Sequence, residues 1–360
     1  MVIQPDSSTT SHLPRRTGVT LFRPYNDPRG DVARQVEGII ERTIEREADF
    51  FAAIRKRVVA GELKIHYVLG NHDRLRRFVP EARRAVWKAL TGLDETPEFH
   101  SEAQFPDHGV LAYHGNVTDE INFDPDGAGT IGDAIGSELI TRFPGEVRKV
   151  LGGGEYLELD DIDDVRPIYA VPAWVRKLSL VQRELLAPVG KTWQMLVEEF
   201  LSNMFVKHWM KDHRTFGFDT GKKLRLLLEL STKKVMAHTH DRRLTQLYKF
   251  FQHSFDGKMA KHAAERIDKT DGLIRYVVNG HSHFANMVPL GSIDGNPAVY
   301  FNTGTWRTVH QIGHGLGGRP SFLPYDAMSY LVFFPKSDEM GRDFEWWTGV
   351  SVSSAHSDRS

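Results

Sequence analysis

The chain of 360 residues contains no cysteine. Disulfides and thiolate zinc sites are therefore excluded, and a metal held here must be bound by His, Asn, Asp or Glu. Such ligands suit manganese, iron, zinc or nickel alike. No apolar run approaches the ~18 residues that a membrane span needs. The first 17 residues, "MVIQPDSSTTSHLPRRT", lack an apolar stretch and do not read as a secretory signal, so a cytoplasmic location is the default expectation. Net charge is nearly absent too: 46 Lys and Arg stand against 47 Asp and Glu. That balance gives no global field to draw in nucleic acid or an anionic membrane. Internal repeats and low-complexity tracts are also lacking.

What is there reads as a large globular unit. The apolar residues from Asp31 to Ala60 recur at helical spacing and predict one long helix, stopped by Gly61. "LKIHYVLG" (Leu63 to Gly70) reads as a short buried strand. "PEARRAVWKALTG" reads as a helix with Pro80 at its start and Gly92 at its end. "GVLAYHG" (Gly109 to Gly115) is a second strand, again ending on histidine and glycine. An acidic, glycine-rich loop follows, and then a long helical middle in which "LELDDIDDV" reads as an acidic surface loop. Strand character returns in "GLIRYVVNGHSH", "PAVYFNTGTW" and "SYLVFFP", with "FEWWTGVSV" as an edge strand. Strand–helix–strand units around a helical middle predict an α/β fold with an inserted cap. The expected division is a core from 18–124 and 268–350, a helical cap over 125–267, and disordered tails at 1–17 and 351–360. Trp174, Trp193, Phe200, Phe205 and Trp209 recur at helical spacing in the cap and read as its core.

Two segments carry chemistry. "GNHD" (Gly70 to Asp73) and "GHSH" (Gly280 to His283) each follow an apolar run and begin with glycine, which lets the chain turn where side chains must converge. Strand ends of α/β folds are where ligands gather. His281 and His283, two apart in an extended segment, project to one side. They can serve neighbouring metals or a single one. "AHTHD" (Ala237 to Asp241) repeats the histidine spacing, but in a charged helical stretch without a preceding strand, and reads as surface.

In these motifs the chain resembles the calcineurin-like metallophosphoesterases, whose ordered motifs end in Gly-Asn-His-Asp/Glu, a lone His, and Gly-His-x-His. Gly70 to Asp73, His114 and Gly280 to His283 match them, and "YFNTGTWR" (Tyr300 to Arg307) looks like the strand and loop that follow. The layout of "YHGN" before a helical insert is similar to UDP-2,3-diacylglucosamine pyrophosphohydrolases. The resemblance covers residues 20–125 and 270–335. It implies a sandwich of two mixed sheets flanked by helices, and hydrolysis of a phosphoester or pyrophosphate at two divalent metals. It further implies Asn71, His114 and His281 as ligands of one metal and His283 of the other. His72 would be the acid that protonates the leaving oxygen, oriented by Asp73. Arg307 is a candidate for holding the phosphate of a phosphorylated small-molecule or lipid-linked substrate.

The family's first two motifs, Asp-x-His and Gly-Asp-x-x-Asp, have no counterpart upstream of Gly70. Asp6 and His12 are wrongly spaced, Asp49 lies in a helical pattern, and Asp31 follows Gly30 without a strand before it. Impaired activity and a single well-held metal are therefore expected, along with missing first strands. An N-terminally shortened form of a longer enzyme is the expected cause. The alternative is a non-catalytic metal- or phosphate-binding protein derived from that fold.

Overall fold

The computed structural model describes residues 31–73, 79–123, 129–152, 158–166, 168–181, 186–212, 220–235, 257–313 and 321–352. The helical stripe at its start forms two pieces, α1 (Asp31–Arg46) and α2 (Ala48–Val59). The hydrogen-bond ladder runs through the joint, from Glu47 N–H to Thr43 O and from Phe51 N–H to Glu47 O. The interruption is therefore a bend rather than an end. α3 (Pro80–Thr91) begins on its proline and closes at Gly92, as its sequence predicts. Val36 and Ile40 of α1 pack with Ala82, Val86 and Leu90 of α3 and with Phe99, and Ile65, Tyr67 and Leu69 lean on the same cluster.

Leu63 to Gly70 does not form the buried strand expected of it. Val68 alone makes a bridge, parallel to His100, and Leu69 N–H donates to His100 O at 2.9 Å. Val68 is also the one buried residue of the segment. A strand needs partners for its backbone groups. Among the described residues this one finds a single bridging residue, so the chain stays extended without entering a sheet.

The rest is α/β, with two mixed sheets flanked by helices. The first sheet contains β1 (Glu102–Phe105), β2 (Val110–Tyr113), β4 (Tyr276–Asn279), β5 (Ala285–Ile293) and β6 (Asn296–Thr303), in the order β1-β2-β4-β6-β5. Its middle strands β2, β4 and β6 are parallel, and the outer pairings are antiparallel. All four residues of β4 are buried, which its unbroken apolar run requires with both faces covered. On one face the helix over 257–268 presses Met259, Ala263 and Ile267 onto Leu111, Val277 and Tyr300. On the other, Val110, Tyr276, Val278, Val299 and Phe301 meet Leu331, Phe333, Phe344 and Trp346 of the second sheet. That sheet contains β3 (Val165–Arg166), β7 (Arg307–Ile312), β8 (Phe322–Phe333) and β9 (Phe344–Ser351), in that order.

Between β2 and β4 lie most of the helices, among them α4 (Ile131–Ile135), α5 (Arg142–Val150), α6 (Val171–Val181), α7 (Leu186–Ser202), α8 (Met204–Asp212) and α9 (Thr220–Val235). They share an apolar cluster of their own, with Trp174, Trp193 and Phe200 inside it and Phe205 and Trp209 packed against it. Each such aromatic removes about 150–250 Å² from water, which makes them the main cohesive element here. Trp193 Nε1 donates to Ser231 Oγ at 2.8 Å, so its polar atom is satisfied. One element leaves this helical region. The run "LELDDIDDV" forms a 3₁₀ turn (Asp160–Asp164) that leads into β3, and β3 pairs with β7 in parallel. Among the described residues no helix is long and apolar enough to cross a membrane.

Candidate functional site

β2, β4 and β6 run parallel, and the loops beyond their carboxyl ends carry the histidines singled out in the sequence. His114 follows the last residue of β2, and Gly280-His281 follows β4. The N–H groups of Gly280 and His281 both donate to His114 O at 3.1 Å, which fastens the two loops together. Gly115 has a φ of +108°, and a Cβ there would come within 2.7 Å of the Asn279 side-chain amide. Only glycine lets the two strand ends approach this closely. The turn Asn71–Asp73 reaches the same edge from the extended segment before it. A Cβ on Gly70 would lie 2.9 Å from His114 Nδ1, so the two motifs are in contact through a glycine. The Asp73 carboxylate accepts Gly70 N–H at 2.9 Å and the Tyr67 hydroxyl at 3.1 Å, and thus braces the turn.

Three donor atoms converge at this edge. Asn71 Oδ1 lies 2.6 Å from His114 Nε2, and His281 Nδ1 lies 3.1 Å from that same nitrogen. All three residues are buried. Burial, and then the neighbouring His281 and His72, hold His114 well below the ordinary histidine range, so it is a neutral imidazole with a lone pair to offer. The second nitrogen of His281, Nε2, meets Asp119 Oδ2 at 2.9 Å. Burial pushes the Asp119 carboxyl up, but His281, Asn122 and the Ile121 N–H bond to it and together hold it below its usual range. An anionic Asp119 fixes the ring proton of His281 on Nε2 and leaves Nδ1 as a lone pair. With the His281 proton on Nε2, the single ring proton of His114 sits on its own Nε2 and faces two acceptors, Asn71 Oδ1 and His281 Nδ1; a metal bound there would take its place. Ligands ~2.1 Å from a metal stand roughly 3 Å apart. The two imidazole nitrogens already have that separation, and Asn71 Oδ1, now at hydrogen-bond distance from His114, would have to draw back by a few tenths of an ångström.

The other half of the edge is different. The His72 and His283 rings lie 6.1 Å apart. His283 adopts a φ of +63°, a conformation uncommon for a residue with a Cβ and often found where function holds it. Its Nδ1 accepts from Arg166 Nε at 2.9 Å. Burial, then Arg166 and the neighbouring histidines, hold His283 well below the ordinary range. His72 is pushed down to about 4 by its crowded surroundings and then by Arg166, against the pull of Asp163, Asp73 and Asp133. His72 itself is exposed. Arg307 is ion-paired with Asp164 in direct contact and with Asp163 at 3.5 Å.

The structure thus brings Asn71, His114 and His281 together, sets His72 beside His283, and turns Asp73 to brace the motif while acting on His72 through its charge. Sequence reasoning missed Asp119, hidden in a loop read only as acidic and glycine-rich, and Arg166, which reaches His283 from a distant stretch of chain. It also missed Asp161, Asp164 and His310, whose ligand atoms lie within 4.8 Å of one another. That group is able to take a cation, but Asp164 is already engaged by Arg307. Among the described residues it is the one such group of three built from His, Asp and Glu alone. Of the carboxylates considered for a bridge, Asp49 is exposed on α2, and Asp31 opens α1. Asp6, His12 and the Ala237 to Asp241 stretch lie outside the described residues. Comparison with family models, with curated proteins and with solved structures finds no match.

Proposed function

We propose that the chain is a metal-dependent hydrolase of a phosphoester or pyrophosphate, with a site of the calcineurin-like metallophosphoesterase type. The observation that carries this reading is that Asn71 Oδ1 and His281 Nδ1 both meet His114 Nε2, with Asp119 behind His281. Each belongs to, or directly supports, a motif of that family, and all stand at the carboxyl edge of parallel strands.

Asn71, His114 and His281 would hold the ion, and Asp119 keeps the His281 ring turned to it. A bound divalent ion supplies Lewis acidity toward a phosphoryl oxygen and makes water a nucleophile near neutral pH. Attack of water on phosphorus breaks the bond to the leaving oxygen; the water gives up a proton to solvent and the leaving oxygen takes one from His72. His72 must carry that proton when the substrate is bound, and the negative charge of the substrate favours it there. The substrate class is a phosphorylated small molecule or a lipid-linked phosphate.

The test is hydrolysis of an aryl phosphodiester by the full chain, with and without added manganese, beside His72→Ala. Metal-dependent turnover is expected, reduced in the variant by about 100-fold or more with its metal content kept. Equal loss of turnover and metal would sink the role of His72 as acid. A second reading, a non-catalytic metal- or phosphate-binding protein, is favoured by Arg166 standing on His283 where the family places a second ion. Metal and phosphate binding without any metal-dependent turnover selects it.

A further inference from the structure

Among the described residues, neither His72 nor His283 belongs to a group of three His, Asp or Glu side chains close enough to share a cation. What stands beside them is a guanidinium. β3 leaves the helical region, pairs with β7, and so carries Arg166 to His283. Arg166 Nε donates to His283 Nδ1 at 2.9 Å, and Nη1 donates to the carbonyls of Asp163 and Val165 at 2.6 and 2.9 Å. All three acceptors are neutral, and Nη2 takes no part in these bonds. The carboxylates whose charge acts on it, Asp163 and Asp164, are paired with Arg307. Arg166 is therefore a buried cation, 9% exposed, without a hydrogen-bonded carboxylate among the described residues and with a second guanidinium nearby. Such an arrangement is costly unless an anion completes it.

We propose that Arg166 takes the place of a second metal ion: the site binds one divalent ion, at Asn71, His114 and His281, and Arg166 Nη2 holds a phosphoryl oxygen beside His283. The inference rests on the phosphoester reading of the same edge and fixes how its charge is supplied. Arginine suits the task because its charge is permanent and its planar fork matches phosphate oxygens. Three bonds already hold the guanidinium, so little side-chain freedom is lost when the anion arrives. His283 changes role as well. With Nδ1 accepting from Arg166, its ring proton sits on Nε2, which makes it a hydrogen-bond donor for phosphate rather than a metal ligand.

The experiment counts manganese ions and titrates inorganic phosphate on the full manganese-loaded chain, on Arg166→Gln and on Arg166→Lys. One ion per chain is expected in all three. Phosphate should bind about tenfold or more weakly to Arg166→Gln, with part of that loss restored in Arg166→Lys. Two ions per unmutated chain would overturn the proposal, and so would phosphate binding to Arg166→Gln within twofold of the original. Should Arg166→Gln fail to fold, the ion count on the unmutated chain and phosphate binding to Arg166→Lys still decide. Arg166-dependent phosphate binding without turnover defeats the hydrolase reading alone; turnover with two ions defeats the role of Arg166 alone.

Discussion

The two halves of the strand edge use the same residue type in opposite ways. At His114 and His281 one ring nitrogen, His114 Nε2, is shared between an amide oxygen and the second imidazole, and a buried carboxylate stands behind that second ring. At His283 the imidazole lone pair is instead occupied by a guanidinium, and the ring beyond it, His72, is open to solvent. The first arrangement lacks positive charge and invites a cation. The second already holds a cation and invites an anion. A histidine at a strand end therefore says little about what it binds until the group behind it is known, because that group decides which nitrogen keeps the proton.

The widest break in this comparison comes from cutting one ring out of each half. His114→Ala removes a nitrogen that faces both Asn71 and His281, and manganese affinity should fall by well over the ~100-fold that loss of an outer partner costs. His283→Ala should leave manganese affinity within about tenfold, because its ring is committed to Arg166. Isothermal titration of both variants reads the difference directly. Equal losses would mean that the two halves hold metal jointly.

A finer cut is Asp119→Asn. Asparagine keeps the shape and still accepts the Ile121 N–H with Oδ1, a bond of 2.9 Å in the native chain. Its amide nitrogen, however, would face His281 Nε2 and the Asn122 amide, which now stand 2.9 and 2.6 Å from Asp119 Oδ2. Donor against donor pushes the His281 proton to Nδ1, where a metal needs the lone pair. Manganese affinity should drop about 10- to 100-fold, with the thermal midpoint little changed. Unchanged affinity would reduce Asp119 to a residue that merely closes its loop.

How much of this was legible in the sequence follows the range of the interactions. β2, β4, β6, β8 and β9 announce themselves as short apolar runs, and α3 by its proline and glycine ends. β5 hides because Pro289 and Gly291 interrupt it at a register shift, and β3 because two residues make no pattern. Leu63 to Gly70 misled in the other direction: its apolar run is what a central strand carries, yet pairing depends on neighbours that composition does not reveal. In the site, Asn71, His114 and His281 were readable because each stands beside a glycine that closes a short apolar run. Asp119 and Arg166 were not, since each becomes meaningful only through a contact with a histidine far along the chain.

The smallest expected effect tests how tightly the first half is built. Gly70→Ala adds one methyl, and that carbon would lie 2.9 Å from His114 Nδ1 and 3.0 Å from Cε1 and Cγ of the same ring. The ring cannot swing aside without drawing Nε2 away from Asn71 Oδ1, and the turn cannot retreat without loosening the Asp73 bonds to Gly70 N–H and Tyr67. Relief of such overpacking costs about 1–3 kcal/mol, shared between stability and site geometry. Manganese affinity should fall several-fold, by less than in Asp119→Asn, while phosphate binding through Arg166 stays near its original strength. A loss of phosphate binding as large as the loss of manganese would show that the turn couples the two halves, and that anion and cation are bound as one unit.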